Sequence, residues 1–410
     1  MKELLLVLLI LSLFINHLNA NEKDLNIIQK DKKEYRLLDK ESIQTRQQSQ
    51  KYDWISPIDL SGNIGRNHSF SDENSRNLNN KNTKSASIGF TQSIFESGGI
   101  GFKMDYADNR FKYEMLSWEN QNSQLIYTIY NTLLDIKKLK LEINQNDYRI
   151  VNKDIELIIK KIQYEAGKTD IIELNNAIMS KNLIQKEEIA LKNSLKEKEQ
   201  ELAKYTDLKY DEIEILDFQE TNKDIFLDKN YSILEADAKV EMLNSEYKIK
   251  KSQYLPKLSL SAKASYSNQD EKFNSMINDT NKDDATSSGS LILSMPLYDY
   301  TKSSKIQESK IEVLKQKALV NDLKNETAFE YEQIFTKIDT YLKQNETINK
   351  NIKLYEELIG ANQISSEAGM TSKYDLEILE NTKTINEFDI LINKINILQQ
   401  YAKLYFKIKN

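Results

Sequence analysis

Cysteine is absent from this chain, and histidine occurs only twice in 410 residues. Without cysteine there is no disulfide, no thiolate metal ligand and no cysteine nucleophile. His17 lies in a segment that we expect to be removed, and His68 lies in a polar stretch. Because an imidazole-based catalytic or metal site is excluded, the sequence predicts a protein that is not an enzyme and uses no cofactor.

Long apolar runs are also missing, except at the amino terminus. Residues 1–20 begin with Lys2, continue as an apolar run from Leu4 to Ile15 and end at Ala20. This pattern is typical of a secretory signal peptide. No later run approaches the roughly 18 residues of a membrane helix, so an exported chain that enters a membrane must do so as β-structure. The net charge of −6 argues against nucleic acid as a partner.

Proline occurs three times, and each proline lies in or beside a segment of strand character: Pro57, Pro256 and Pro296. In these segments apolar residues alternate with small polar ones, which is the period of a strand. We predict four strands, at residues 58–65, 85–94, 258–266 and 291–297. Their length, about 10 residues, is the length that crosses a bilayer when a strand is tilted.

The two strands of each pair are separated by segments rich in Asn, Asp, Ser and Lys, residues 66–84 and 267–288. We predict these segments as solvated loops. At the opposite strand ends, aromatic residues predict a girdle at the membrane interface: Trp54, Phe95, Tyr254 and Tyr298. The pattern leaves one alternative open, a pair of hairpins on a soluble sheet with ordinary strand aromatics.

A ten-residue turn occurs twice, as EAGKTDIIEL at Glu165–Leu174 and as EAGMTSKYDL at Glu367–Leu376. Because glycine tolerates the left-handed conformation that ends a helix, each copy predicts a reversal between antiparallel helices. We therefore predict a signal peptide over residues 1–20 and two structural repeats over residues 21–222 and 223–410. Each repeat is expected to contain a helix, two strands and a long helical hairpin.

Heptad spacing flanks both turns. In the second half the seam is Ile334, Ile338, Tyr341, Asn345, Ile348, Ile352, Tyr355 and Ile359. The same rhythm precedes the first turn, at Val151, Ile155, Ile158 and Ile162. Residues 301–366 contain no proline, and a helix of that length would run about 95 Å.

Four strands cannot close a barrel by themselves. An open sheet edge in lipid leaves backbone donors and acceptors unpaired, at several kcal/mol for each group. The chain must therefore complete a barrel with copies of itself. Two copies would give eight strands and three would give twelve, and the residues alone leave both open.

Several segments resemble the TolC-type outer membrane efflux protein family: Gln92–Gly99, Leu255–Ala262, Ser294–Tyr300 and the turn at Tyr164–Gly167 with an acid six residues on. The resemblance implies a mixed α and β membrane protein whose long antiparallel coiled-coil helices form a periplasmic α-barrel. It implies four transmembrane β-strands per chain, completing a twelve-stranded β-barrel as a homotrimer.

The function that this resemblance implies is an exit duct in the outer membrane, with a long periplasmic extension. The duct would be the passive conduit of a tripartite efflux system or of a type I secretion system. Its partners would be a periplasmic adaptor protein, an inner-membrane pump and outer membrane lipid. The alternative is a structural or adhesive coiled-coil protein of the cell envelope, although an adhesin should have one uninterrupted heptad rod.

Acidic residues follow each reversal and are candidates for a periplasmic entrance or gate: Asp170, Glu173 and Asp375. In a trimer they would form a ring of carboxylates, which favours cations. Their spacing also fits helix capping alone, and this alternative stays open. The tips of the turns are candidates for adaptor docking: Gly167, Thr169, Gly369 and Thr371. There the alternative is a glycine that reverses the chain without binding a partner.

Overall fold

The computed structural model describes residues 24–70, 78–214, 216, 218, 220–272, 280–367 and 372–409. The predicted signal peptide, residues 1–20, lies outside them and stays a prediction. Packing divides the chain into two compact units. The unit that contains the sheet is formed by Glu41–Met115 and Glu235–Val320. The helical unit is formed by Met1–Lys40, Leu116–Leu234 and Asn321–Asn410.

One order of elements occurs twice along the described chain. After a 3-10 turn at Asp24–Ile27 come α1 (Lys30–Tyr52), β1 (Asp59–Phe70), β2 (Leu78–Phe95), α2 (Gly99–Glu165) and α3 (Ile171–Leu202). They are followed by α4 (Lys223–Asp228), α5 (Tyr231–Ser252), β3 (Lys257–Lys272), β4 (Thr280–Ser294), α6 (Lys302–Glu367) and α7 (Lys373–Lys407). The boundary between repeats at residues 222 and 223 stays a prediction.

The four strands form one antiparallel sheet in the order β1-β2-β3-β4. The register places Leu60 opposite Ile88, and Ile88 opposite Ala264, on one face. The next residue pair, Ser61 and Ser87, lies on the other face. The predicted strands and the alternation of apolar and polar residues are therefore confirmed, and β1 and β4 are the two edges of this sheet.

The strands extend into the predicted loops, and the described residues of 66–84 and 267–288 are all strand. At its other end β4 stops at Ser294, so residues 295–297 of the fourth predicted strand are not strand, and Pro296 there has no N–H to donate to a ladder. β1 continues to Phe70, and pairs such as Asn268 with Asp283 extend the β3–β4 ladder through the polar segment. Ladder hydrogen bonds are made by the backbone, so pairing continues beyond the point where the apolar alternation stops. Side-chain periodicity marked only the part of each strand that has an apolar face.

The junction between β2 and α2 is a tight turn with two left-handed residues. Ser97 has a φ of 52° and Gly98 a φ of 86°. The Ser97 hydroxyl donates to the carbonyl oxygen of Pro256, 2.7 Å away, directly before β3. Next in the chain, a Cβ added to Gly99 would lie 2.9 Å from the Oγ of Ser252 at the end of α5. This glycine is therefore needed for close packing.

We predict that Gly99→Ala destabilises the protein by about 1–3 kcal/mol, because its methyl group overpacks the junction. Gly101→Ala is the matched control, since a Cβ at Gly101 meets nothing within 4 Å. In a helix, that exchange should stabilise by about 1 kcal/mol. Thermal unfolding of the detergent-purified proteins measures both changes. Equal unfolding temperatures for the two variants would contradict the steric explanation.

The predicted heptad seam of the second half is confirmed along α6. Ile334 and Ile338 are buried, and the other seam positions are the less exposed side of the helix. The polar position in the seam is paired, because Asn345 Oδ1 accepts a hydrogen bond of 2.9 Å from Asn393 Nδ2 of α7. This 66-residue helix is about 100 Å long.

The predicted seam of the first half is wrong in its details. Ile155 is 4% exposed, but Val151, Ile158 and Ile162 are 39%, 41% and 54% exposed. Between Gln145 and Asn152 the buried side of α2 is polar instead, and its amides bond to α7. Gln145 Nε2 donates to Asp389 Oδ1 at 2.7 Å, and Asn381 Nδ2 donates to Asn152 Oδ1 at 2.9 Å. Apolar spacing missed this seam because amides, not aliphatic residues, line it.

The helical unit has an apolar core near the ends of α4 and α7. It is formed by Phe226, Ile334, Ile338, Leu404 and Ile408. Before α4, Phe218 is buried against Phe406, with ring centroids 5.6 Å apart.

A carboxylate clamp joins α6 to α7 beside this core. Glu330 accepts from Lys407 Nζ at 2.6 Å and from Lys403 Nζ at 2.8 Å. Burial alone would raise the pKa of Glu330, but the hydrogen bonds from both lysines outweigh it and lower the pKa. A carboxylate with a lowered pKa stabilises the fold above its unfolded pKa and loses that contribution as pH falls through its folded pKa.

We predict that Glu330→Gln lowers stability at pH 7 and that the difference from wild type shrinks as the pH falls below about 4. Urea unfolding between pH 7 and pH 3, followed by tryptophan fluorescence, measures the difference in unfolding free energy between the variant and wild type. Glu332→Gln is the control, because its partner Lys223 forms only an exposed ion pair with it, 2.8 Å long. A gap for Glu330→Gln that is independent of pH would contradict this prediction.

Candidate functional site

The turn between α2 and α3 ends its first helix with a left-handed glycine. Gly167 has a φ of 68°. Its N–H donates to the carbonyl of Tyr164 at 2.9 Å, and that of Lys168 donates to Gln163 at 2.8 Å. This pair of bonds is a Schellman motif, which satisfies the last carbonyls of the helix. Thr169 follows in the same turn and is half-buried.

Asp170 caps the first turn of α3. Its backbone is extended, with φ −92° and ψ 172°, and its carboxylate accepts from the N–H of Glu173 at 2.9 Å. In the single chain Asp170 therefore acts as the N-cap of α3. A role in an entrance ring is a separate property of the assembled protein, and it stays a prediction.

Glu173 forms an ion pair across the reversal. Its Oε2 accepts from Lys160 Nζ of α2 at 2.9 Å, and about half of its side chain is exposed. Lys160 was not singled out from the sequence. Lys160 lies seven residues before Gly167 and Glu173 lies six residues after it, so their similar distance from the turn is the signal that could have found the pair.

The second tip is described only from residue 372 onward, and Gly369 and Thr371 lie outside the described residues. Ser372 is the N-cap of α7, and its hydroxyl accepts from the N–H of Tyr374 at 3.2 Å. Asp375 is exposed in the first turn, and no described cation lies within ion-pair distance of it. The two acids that match in sequence therefore differ in their surroundings.

The predicted girdle residues lie near the ends of the sheet that are closest to the helices. Phe95 at the end of β2 and Tyr298 after β4 are exposed, Tyr298 at 85%. Trp54 is half-buried in the turn after α1, where its carbonyl accepts from Gln92 Nε2 at 2.9 Å. These three rings leave surface that lipid headgroups could contact.

Tyr254 differs from the expectation, because it is only 8% exposed. It lies between the end of α5 and Lys257, where β3 begins, and the ammonium group of Lys302 is 5.4 Å from its ring centroid. Lys302 is the first residue of α6. In the single chain Tyr254 is a packing residue of the junction rather than a lipid-facing one.

The polar face of the sheet carries pairs of hydroxyl groups. Ser61 pairs with Ser87 at 2.8 Å, and Thr91 pairs with Ser261 at 3.0 Å. Because these hydroxyls bond to one another across neighbouring strands, the face is polar yet largely satisfied. A surface of this kind suits contact with water rather than with lipid.

No described helix combines the length and the apolar character that crossing a membrane requires. Across the part of the chain that the structure describes, no group of His, Cys, Asp or Glu has the arrangement of a metal site.

The fold is similar to those of known outer membrane proteins, among them the channels OprN and CmeC. OprN matches with a TM-score of 0.72 at 10% identity, covering 94% of this chain and 88% of OprN. VceC from Vibrio cholerae matches with a TM-score of 0.70 at 12% identity, covering 93% of this chain and 94% of VceC. CmeC from Campylobacter jejuni matches with a TM-score of 0.67 at 12% identity, covering 92% of this chain and 84% of CmeC.

No curated protein matches the chain in sequence. Residues 224–403, however, match the outer membrane efflux protein family. The resemblance to TolC-type outer membrane efflux proteins is thereby confirmed. The predicted fold class, long helices with a four-stranded antiparallel sheet, is that of the efflux channels. The family that these residues match is one of outer membrane proteins, and the solved structures with a similar fold include outer membrane channels.

We predict that Asp170→Ala frays the first turn of α3, at a cost of about 1 kcal/mol, because the N–H of Glu173 loses its acceptor. Glu173→Gln should cost less, since an exposed ion pair contributes about 0–1 kcal/mol. Hydrogen exchange of the amides at residues 171–174 measures this local opening. Faster exchange in Glu173→Gln than in Asp170→Ala would contradict the assignment of Asp170 as the cap.

Proposed function

We propose that the protein is a passive exit duct from the periplasm to the exterior, working as a homotrimer in a tripartite efflux or type I secretion system. The observation that carries the proposal is a sheet with an exposed apolar face and two available edges. Leu60, Ile64 and Leu293 on this face are 79%, 83% and 73% exposed. An apolar band of this extent would be costly in water and is stable in lipid.

The edges of the sheet support a ring of subunits. Within lipid, the outward-facing backbone groups of β1 and β4 need partners, and water is not there to supply them. Pairing of β4 with β1 of the next copy satisfies both edges at once, and repetition of one contact around an axis closes the ring. With four strands from each chain, three copies form a twelve-stranded barrel.

The long helices support lateral contacts as well. On α3 a row of aliphatic side chains is exposed at heptad-like spacing: Ile172, Met179 and Leu183. An apolar row on a helix is buried in a stable protein, and in the proposed trimer a neighbouring subunit covers it. We propose that the helices continue in this way as the walls of a periplasmic tunnel.

We include an adaptor and a pump in the proposal because the resemblance to the efflux family implies them. We propose that the tips contact the helical hairpin of a periplasmic adaptor through Gly167, Thr169, Gly369 and Thr371. Support for the first tip comes from its compact Schellman turn, which leaves space around Gly167, where an added Cβ would meet nothing within 4 Å. An inner-membrane pump would then supply the energy, and this chain would supply only the path.

Electrophoresis and conductance test the proposal together. The protein should be extracted from outer membranes by detergent, migrate as a trimer without heating and as a monomer after heating, and conduct ions in a planar bilayer. A monomer that does not conduct would overturn the proposal and would favour the structural or adhesive alternative.

The same recordings test the entrance acids. With Glu173→Gln and Asp375→Asn combined, we expect a larger conductance and a weaker preference for cations, because the mutual repulsion and the negative charge of the ring are removed. Glu199→Gln, which removes an exposed acid from the other end of α3, is the control. Unchanged conductance and selectivity in the double variant would contradict an entrance role. These acids would then act only in helix capping and local ion pairing.

A further inference from the structure

One cross-strand row on the polar face of the sheet contains two opposite charges. The register aligns Asp59 of β1 with Gly89 of β2, Gly89 with Lys263 of β3, and Lys263 with Ser288 of β4. Aligned residues project from the same face of a sheet. Asp59 and Lys263 therefore lie on one face, two strand spacings or about 10 Å apart, with a glycine between them.

The glycine leaves space that the lysine stem uses. A Cβ added to Gly89 would lie 3.3 Å from Lys263 Cγ and 3.0 Å from the carbonyl oxygen of Ala262. The stem of Lys263 therefore leans over Gly89 toward β1, on the side where Asp59 lies. Asp59, Gly89 and Lys263 line one shallow cavity.

The rows on either side of this one are neutral. One contains Ser61, Ser87, Ser265 and Thr286, and the other contains Thr91, Ser261 and Ser290. Most of these hydroxyls bond to each other, for example Ser265 with Thr286 at 2.8 Å. Asp59 and Lys263 thus form a charged row between two neutral rows, and Asp284 of β4, aligned with Ser267 on the same face, lies two rows away.

We propose that Lys263 and Asp59 set the ion selectivity of the membrane-spanning part of the pore. This inference rests on the proposed function, because only in a closed ring does the polar face line a water-filled lumen. Each subunit then adds one lysine and one aspartate to the wall of the lumen. Lys263 attracts anionic solutes, and Asp59 reduces this preference for anions. Charged side chains that line other channels act in the same way.

Reversal potentials of the trimer in a planar bilayer under a KCl gradient test the inference. In Lys263→Gln the ratio of cation to anion permeability should rise by about threefold or more. In Asp59→Asn it should change in the opposite direction. The double variant should return close to the wild-type ratio, because both charges of the row are removed together.

Lys84→Gln is the matched control. Lys84 lies on β2 of the same sheet and is aligned with Ile64, on the apolar face. Its replacement removes the same charge but leaves the lumen unchanged, so selectivity should stay at the wild-type value. Conducting Lys263→Gln channels with a wild-type permeability ratio would overturn the inference while leaving the proposed duct intact. Wild-type protein without conductance would overturn both.

Thiol chemistry gives a second readout, because the natural chain has no cysteine. A Lys263→Cys variant can be treated with a methanethiosulfonate reagent that carries either a quaternary ammonium or a sulfonate group. The cationic reagent should restore the wild-type permeability ratio, and the anionic reagent should move it further toward cations. Equal effects of the two reagents would show that charge at this position does not set selectivity.

Discussion

Hydrogen bonding of strand backbones is the constraint on which the other features depend. Within the sheet, β1 to β4 satisfy one another in sequence order, and only the outer edges are left. In lipid those edges cannot be left open. A single sheet of this kind therefore lacks partners for its two edge strands. In the helical unit, the aliphatic row on α3 likewise lacks a surface that covers it. In the proposed ring both are completed by the same neighbouring subunit.

The helices are held together by a mixture of apolar and polar contacts. Amide pairs such as Asn345 with Asn393, and Asn152 with Asn381, lie within the seams of the hairpins. Buried amides contribute less stability than aliphatic residues would, but they specify which residues face each other. Together with the Glu330 clamp they hold α7 in register with both α2 and α6. Long helices with repetitive sequences need such registration, since aliphatic seams alone tolerate slippage.

The parts of the fold that follow a simple period could be predicted from the sequence. The alternation of apolar and polar residues predicted the four strands, and the prolines indicated where strands meet helices. The heptad spacing predicted the seam of α6. The α2 seam was missed, because burial there involves Gln145 and Asn152 rather than aliphatic residues. The ion pair of Lys160 with Glu173 and the burial of Tyr254 depend on how the chain turns. Such turns bring together residues that no local pattern connects.

The central pairing of the sheet joins β2 from the first half of the chain to β3 from the second, with Phe95 opposite Leu258. This ladder cannot form until the second half has been synthesised. Until then the edge of β2 in the first hairpin is unpaired, and a sheet of such high contact order forms slowly. A strand edge that stays unpaired for that time can pair with another chain, so aggregation competes with closure of the sheet.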